Sequence, residues 1–243
     1  LRRVGEQADV AHTYAPPGSL KVLRGIVETF RAVPLLLAVY LAVATGSAIL
    51  GLSLVHPLLA LVLGGVVLTL AGILAAAVTV AAKWVLVGRH RVGEHPLWSS
   101  FVWRNELADT FTEVLAARWF CPSALGTLAL NMWFRMLGAR IGDGVWCDTY
   151  WLPETDLVEL GDGATVNAGC VVQTHLFHDR VLAMERVVLD AGATLGPNSV
   201  ILPAARIGRN TTVGPASLVM RGESVPSRTR WIGNPIGPWE EEA

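Results

Sequence analysis

Charge is missing from a long stretch of this chain. Between Arg31 and Lys83 lie 51 residues without Asp, Glu, Lys or Arg, and His56 is the one group among them able to charge near neutral pH. That run is too long for a buried core helix and suffices for two bilayer crossings of ~20 residues each. It also lacks a polar pair or a broken helix at mid-depth, which removes the usual grounds for a transporter. A signal peptide is excluded as well, since its apolar region would be shorter and single. Cysteine is scarce: Cys121, Cys147 and Cys170 are too few and too scattered for a disulfide framework or a zinc site, so no metal is expected. Positive charge is not in excess either, with 19 Lys and Arg against 20 Asp and Glu and a pI near 6.7. With no basic cluster interleaved with aromatics, nucleic acid is excluded as a partner.

The uncharged run divides at His56-Pro57, where proline disfavours helix continuation. Residues 33–55 and 58–82 therefore read as a transmembrane hairpin with both ends on one side; a fully buried soluble helix pair is the alternative. Lys21, Arg24 and Arg31 precede it and Lys83, Arg89 and Arg91 come after it, so the positive-inside bias places both ends, and the C-terminal part of the chain, in the cytoplasm of a cell membrane. Hydroxyls at Thr45, Ser47, Ser53 and Thr69 can return to their own helix backbone. Gly46, Gly51, Gly64, Gly65 and Gly72 suggest close helix contact, an anchoring role.

From residue 91 to 139 a helical collar is expected. Leu107, Phe111, Val114, Leu115 and Trp119 fall at helical spacing opposite Arg104, Asp109, Glu113 and Arg118, which predicts an amphipathic helix with those charges in water. A second helix reads over 125–137, stopped by Gly138. Trp84, Trp98, Trp103, Trp119 and Trp133 either sit at the headgroup layer or pack the collar onto the C-terminal region.

Beyond the collar an aliphatic residue returns every six positions: Leu160, Val166 and Val172, then Leu189, Leu195, Ile201, Ile207, Val213, Val219 and Val225, with a fainter beat at Ile141. Four residues later the side chain is usually small, as at Ala164, Cys170, Ala193, Ser199, Ala205, Thr211 and Ser217. A period of six fits neither helix nor hairpin meander but fits stacked coils of a parallel β-solenoid. Cys147 and Cys170 fall at inward positions and read as buried reduced thiols. About four coils fit, with one residue added near Glu159. Thr174-His175-Leu176-Phe177-His178-Asp179-Arg180 cannot be regular rung and reads as a loop thrown out of the solenoid, a place where chemistry collects. The resulting division is a pre-membrane segment over 1–31, the hairpin over 32–90, the collar over 91–139, the solenoid over 140–236 and a tail over 237–243.

The hexad pattern, with its closing Trp231-Ile232-Gly233-Asn234-Pro235, resembles the hexapeptide-repeat acyltransferases. That resemblance implies a left-handed parallel β-helix whose copies form trimers, with substrates in the clefts between solenoids. Thr174-His175 and the excursion after it resemble the His-bearing loop of galactoside and maltose type acetyltransferases, which makes His175 the candidate base and His178 the second choice. Imidazole suits this work because its pKa lies near neutrality. Asp179 either orients an imidazole or pairs with Arg180; both, with Asn167 and Gln173, are candidate substrate contacts, and Asn167 serves equally as a turn former. Aligned on the same family, Pro197 stands where an oxyanion donor is expected and has no N–H, leaving Ser199 or a partner solenoid to replace it. Losing such a donor is worth ~3 kcal/mol of barrier.

Taken with the hairpin, the stretches His95-Pro96-Leu97-Trp98-Ser99-Ser100-Phe101-Val102-Trp103-Arg104-Asn105-Glu106-Leu107, Gln173 to Phe177 and Met220-Arg221-Gly222-Glu223 resemble the C-terminal part of membrane-bound nonribosomal peptide synthetases of the ε-poly-lysine type. That resemblance implies a segment of a longer polypeptide, consistent with the start at Leu1 and the Tyr-Ala-Pro-Pro-Gly linker. It implies amide formation from a carrier-bound aminoacyl thioester, with phosphopantetheine as the substrate arm and the carrier domain and other solenoid copies as partners. The alternatives are an acyl-CoA-dependent acetyltransferase and a catalytically silent solenoid completing a pseudo-trimer.

Overall fold

A computed structural model describes residues 16–239. Residues 1–15 of the expected pre-membrane segment and linker, and 240–243 of the tail, lie outside the described residues. Helix α1 (Gly18–Thr29) leads into α2 (Ala32–Val55) and α3 (Pro57–Leu86), which pair as a hairpin. His56 breaks the helix with extended backbone, and its Nδ1 accepts from the Leu58 N–H at 3.2 Å while Pro57 opens α3. Both members of the pair are long and apolar enough to cross a membrane. The hydroxyls of Ser53 and Thr69 donate to Leu50 O and Gly65 O, so neither is left unsatisfied. The glycines behave differently from expectation. A Cβ at Gly46, Gly51, Gly64 or Gly65 would meet nothing within 4 Å, whereas one at Gly72 would lie 2.6 Å from the Trp119 carbonyl oxygen. Close approach is thus confined to Gly72, and the partner is the collar rather than the other helix of the hairpin.

The collar begins with strand β1 (Gly93–Pro96) and α4 (Ser100–Phe111), whose first turn is capped by Ser99 Oγ accepting from Val102 N–H. The helical path continues through a π turn at Thr112–Ala116 and short turns at Ala117–Trp119 and Cys121–Ala124. It ends in α5 (Leu128–Leu137), which starts three residues later than the sequence pattern suggests. Gly138 stops α5 at φ 108, and any Cβ there would collide with the Asp156 carboxylate, so glycine is required twice over. Leu107, Phe111 and Leu115 pack on Leu41, Ala71 and Ala75 of the hairpin. The tryptophans divide: Trp103 and Trp133 are buried, while Trp84 is exposed.

The solenoid has three parallel faces. One stacks Arg140–Ile141, Val158–Leu160, Val187–Leu189, Arg206–Ile207 and Ser224–Val225; the second runs from Trp146–Cys147 to Arg230–Ile232; the third joins Val171–Val172, Val200–Ile201 and Leu218–Val219. Ile141, Leu160, Leu189, Ile207 and Val225 lie in register on the first face, and every beat from Leu160 to Val225 is buried. Each such aliphatic side chain is worth about 1.5–3 kcal/mol of burial, so the stack forms a rigid floor. Collar and floor share one core, since Trp133, Phe134 and Leu137 join the same cluster as Ile141 and Leu160.

Leu189 stacks directly on Leu160, so the coil between them carries the whole insertion. That insertion is ordered, in contrast to the irregular loop expected. His175–His178 and Val181–Met184 pair antiparallel around Asp179-Arg180, both at positive φ (48° and 61°), the backbone of a two-residue hairpin turn. Strand β1 of the collar adds to Val181–Met184 as a third strand. The sheet clamps the collar to the solenoid and fixes the base of the hairpin, where His175 stands.

Candidate functional site

The chain turns a corner just before the first face repeats. Glu154 sits there with φ 37, the left-handed region that a side chain with a Cβ rarely adopts, ahead of a short helical turn at Thr155–Leu157. Backbone in that region costs energy and persists where surrounding contacts enforce it. Here they do. The Glu154 carboxylate, whose side chain is 0% exposed, accepts from Thr174 Oγ1 at 2.6 Å and from Asn105 Nδ2 at 3.1 Å, and faces His175 Nδ1 at 2.7 Å. Burial pushes the Glu154 carboxyl up, but the hydrogen bond and charge of His175 and the Thr174 hydroxyl outweigh it and hold it below its ordinary value. Burial pulls the His175 imidazole down, the Glu154 hydrogen bond and charge push it up, and the net position is raised. A carboxylate at Nδ1 leaves Nε2 as the nitrogen able to take a proton, and Nε2 has no partner among the described residues.

His175 and Glu154 line a cavity of about 300 Å³ between the collar and the first coils. Its apolar wall includes Trp133, Phe134, Leu137 and Leu152, and its polar wall includes Asp109, Glu113 and Gln173. Asp109, placed in water by the amphipathic pattern, instead faces this cavity. Burial first, then the nearby Glu154 charge, push its carboxyl up to about 7. A carboxyl that titrates near neutrality beside an imidazole is a second proton-handling group.

Behind Glu154 runs a chain of buried side chains. Asn105 Oδ1 faces His90 Nε2 at 2.7 Å; His90 Nδ1 lies 3.1 Å from Asp156 Oδ2, which also accepts from Lys83 Nζ at 2.6 Å. Burial raises the Asp156 carboxyl, but the His90 and Lys83 hydrogen bonds and the Lys83 charge bring it down to about 2. The last turns of α3 are thereby tied through five side chains to His175.

Of the residues singled out from sequence, the structure brings His175 and Gln173 to this cavity, with Gln173 Nε2 donating to the His175 carbonyl oxygen at 2.9 Å. The others lie elsewhere. His178 and Asp179 pair at 3.1 Å at the exposed hairpin tip, so Asp179 holds the wrong imidazole for a role at His175, and Arg180 shares that turn. Asn167 Nδ2 donates to Leu195 O of the next coil at 2.8 Å, and the residue lies outside the cavity. Ser199 is wholly buried, donating to Gly214 O and accepting from Ser217 N–H; its inward position in the hexad takes it out of reach of any oxyanion. The thiols of Cys121 and Cys147 are pushed up to about 12 by burial, which makes both inert. Sequence reasoning missed Glu154, Asp109, Asn105, His90, Asp156 and the role of Lys83. The residue added near Glu159 was a signal that the corner before it departs from the repeat. The cavity also lies within one chain, whereas the family resemblance implies a cleft between solenoids.

No family model matches the chain. Over 233 residues it is 34% identical to the delta-poly-L-ornithine synthetase of Acinetobacter baumannii (strain AB307-0294), a match covering 93% of this chain and 17% of that protein. The chain therefore spans about a sixth of the length of the curated relative it matches. Among solved structures it is similar to Neisseria gonorrhoeae serine acetyltransferase in complex with serine (19% identity, 70% of this chain and 56% of that one, TM-score 0.40). It is also similar to a hexapeptide-repeat containing acetyltransferase of Vibrio cholerae (17% identity, 49% and 85%, TM-score 0.39) and to an N-acyltransferase of Bacillus cereus in complex with coenzyme A (18% identity, 43% and 61%, TM-score 0.35).

Proposed function

We propose that this chain is a membrane-anchored aminoacyl-transfer domain that forms an amide bond from a carrier-bound aminoacyl thioester. The observation that carries the reading is the 2.7 Å contact between His175 Nδ1 and the wholly buried Glu154 carboxylate at the wall of a cavity large enough for an amino acid and a thioester. The likeness to a poly-amino-acid synthetase over nearly the whole chain supports the class of reaction.

In this reading His175 Nε2 takes a proton from the incoming ammonium, and the freed amine attacks the thioester carbonyl carbon. The C–N bond forms and the C–S bond breaks; the proton held by His175 passes to the departing thiolate of the phosphopantetheine arm, and the second proton that the nitrogen sheds in becoming an amide is taken by the freed imidazole and passed to solvent. Glu154 keeps the imidazole in the correct tautomer and stabilises it while it is charged. The apolar wall excludes water that would otherwise hydrolyse the thioester. The hairpin spans the membrane with the solenoid on the cytoplasmic side, as the basic residues at both of its ends favour.

The test supplies the reconstituted chain with an aminoacyl thioester on a carrier domain, a free amino acid and, separately, acetyl-CoA. Amide product from the carrier-bound thioester supports the reading. Turnover of acetyl-CoA alone places the chain with the CoA-dependent acetyltransferases, and turnover of neither by an intact synthetase lacking other active solenoids marks a silent solenoid.

A further inference from the structure

We propose that the outer face of the collar is a lipid-binding surface, seated at the headgroup level of the leaflet from which the hairpin enters. The inference rests on the hairpin being a membrane anchor and extends that role to a part of the chain that no transmembrane pattern marks. Along α5, Leu128, Met132 and Met136 recur at four-residue spacing and are 66%, 52% and 51% exposed, while Leu130, Trp133, Phe134 and Leu137 on the other side are buried. A helix apolar on both sides needs an apolar neighbour for the second. The stripe continues onto α3, where exposed Trp84 donates its indole N–H to the Met136 carbonyl and Val85 lies bare beside it.

Depth identifies the neighbour. Trp133 Nε1 donates to the Ala76 carbonyl of α3 at 3.3 Å. Ala76 is twenty helical residues beyond the His56 turn, or ~30 Å at 1.5 Å per residue, which matches the hydrocarbon thickness of a bilayer. With the turn at the far boundary, α5 lies along the near one. Helix α1 too carries a bare stripe, Val22, Leu23 and Ile26, while Arg24 anchors its other side to Glu106 of α4 at 2.6 Å. Two amphipathic helices flank the hairpin with apolar faces turned outward, the arrangement of helices that lie in a membrane interface.

Charge points the same way. Arg118 lines an open groove of about 550 Å³ with Leu68, Thr69, Trp119, Pro122 and Ser123, and it has no carboxylate partner among the described residues. Leu68 and Thr69 lie on the hydrocarbon side of Ala76. A guanidinium there needs an anion, and its long stem lets it reach up to one at the interface. The phosphate of an anionic headgroup, free of the choline cation that neutralises it in phosphatidylcholine, supplies that anion in the fork geometry arginine favours.

The experiment places single spin labels on the chain in nanodiscs, at Leu61→Cys within the hydrocarbon span of α3, Met132→Cys on the stripe and Arg209→Cys on a distant coil. The native cysteines are buried and stay unlabelled. Oxygen and a water-soluble nickel chelate then report depth. The proposal predicts that the Leu61 label is protected from chelate and the Arg209 label fully open to it. The Met132 label should be several-fold less open to chelate than Arg209 and oxygen-accessible. A protected Leu61 label with a Met132 label as open as Arg209 overturns the collar surface alone; an open Leu61 label overturns the membrane reading and the surface with it. In a second arm, replacing phosphatidylcholine by phosphatidylglycerol raises the unfolding midpoint of the parent chain, and Arg118→Gln loses that increment. An equal increment in both overturns the phosphate contact.

Discussion

Replacing Glu154 by Gln keeps the shape of the side chain and removes its charge. In the parent, that charge accepts three hydrogen bonds from within the protein, and none of its partners is replaced by water because the side chain is wholly buried. The bond to an imidazole that becomes cationic during reaction is a charge-assisted one, worth about 1.5–3 kcal/mol. At about 1.36 kcal/mol per factor of ten, Glu154→Gln lowers the rate of amide formation by about 10- to 100-fold. The pH dependence changes in a defined direction. Glu154 holds the His175 pKa up, so the parent rate falls as pH drops through a pKa above the ordinary histidine value. In Glu154→Gln the acid limb moves to lower pH while the plateau drops. The same raised pKa contributes stability that is present below the unfolded histidine pKa and is lost as pH rises through the folded one, so the variant also loses stability selectively on the acid side. The assay is amide product from a carrier-loaded thioester across the pH range, alongside an unfolding curve at each pH. A parental plateau with an unmoved acid limb, in a variant of parental fold, would refute the dyad.

Asp109→Asn removes a carboxyl held up to about 7 by burial and the Glu154 charge. The parent should lose stability as pH rises from the unfolded carboxyl pKa through 7, and the variant should not; unfolding curves at pH 5 and 8 show the difference, and an inflection near 7 disappears from its pH–rate profile. Lys83→Met leaves the Asp156 carboxylate with one buried cation fewer and lowers stability by about 3–5 kcal/mol, read by chemical unfolding in detergent. His178→Ala, at the exposed tip of the hairpin, changes stability by no more than about ±0.5 kcal/mol and leaves product formation near the parent's.

The solenoid was legible in the sequence because a coil exposes only its inward positions to selection by packing, and those recur at a fixed interval from Leu160 to Val225. His175 stood out for a related reason: it comes just after the last residue that keeps the beat. The rest of the site left little trace. Asn105 and Asp109 sit on the polar side of an amphipathic helix, where a charge usually means solvent, and only the docking of α4 over the first coil turns that side toward a cavity. Lys83 looks like a membrane flank, yet its ammonium is spent on Asp156, 73 residues away. Ser199 shows the opposite failure. Its hydroxyl suggested chemistry, but the hexad phase that places it inward already fixed its partners in the core.

The central claim is that His175 is the base for amide formation, and His175→Ala in the intact synthetase, with any other solenoid made inactive, tests it most directly. Product formation from the carrier-bound thioester should fall by about 10²–10⁴-fold, with the fold and membrane insertion unchanged. Activity equal to the parent's would contradict the account and make this solenoid a wall rather than a catalyst.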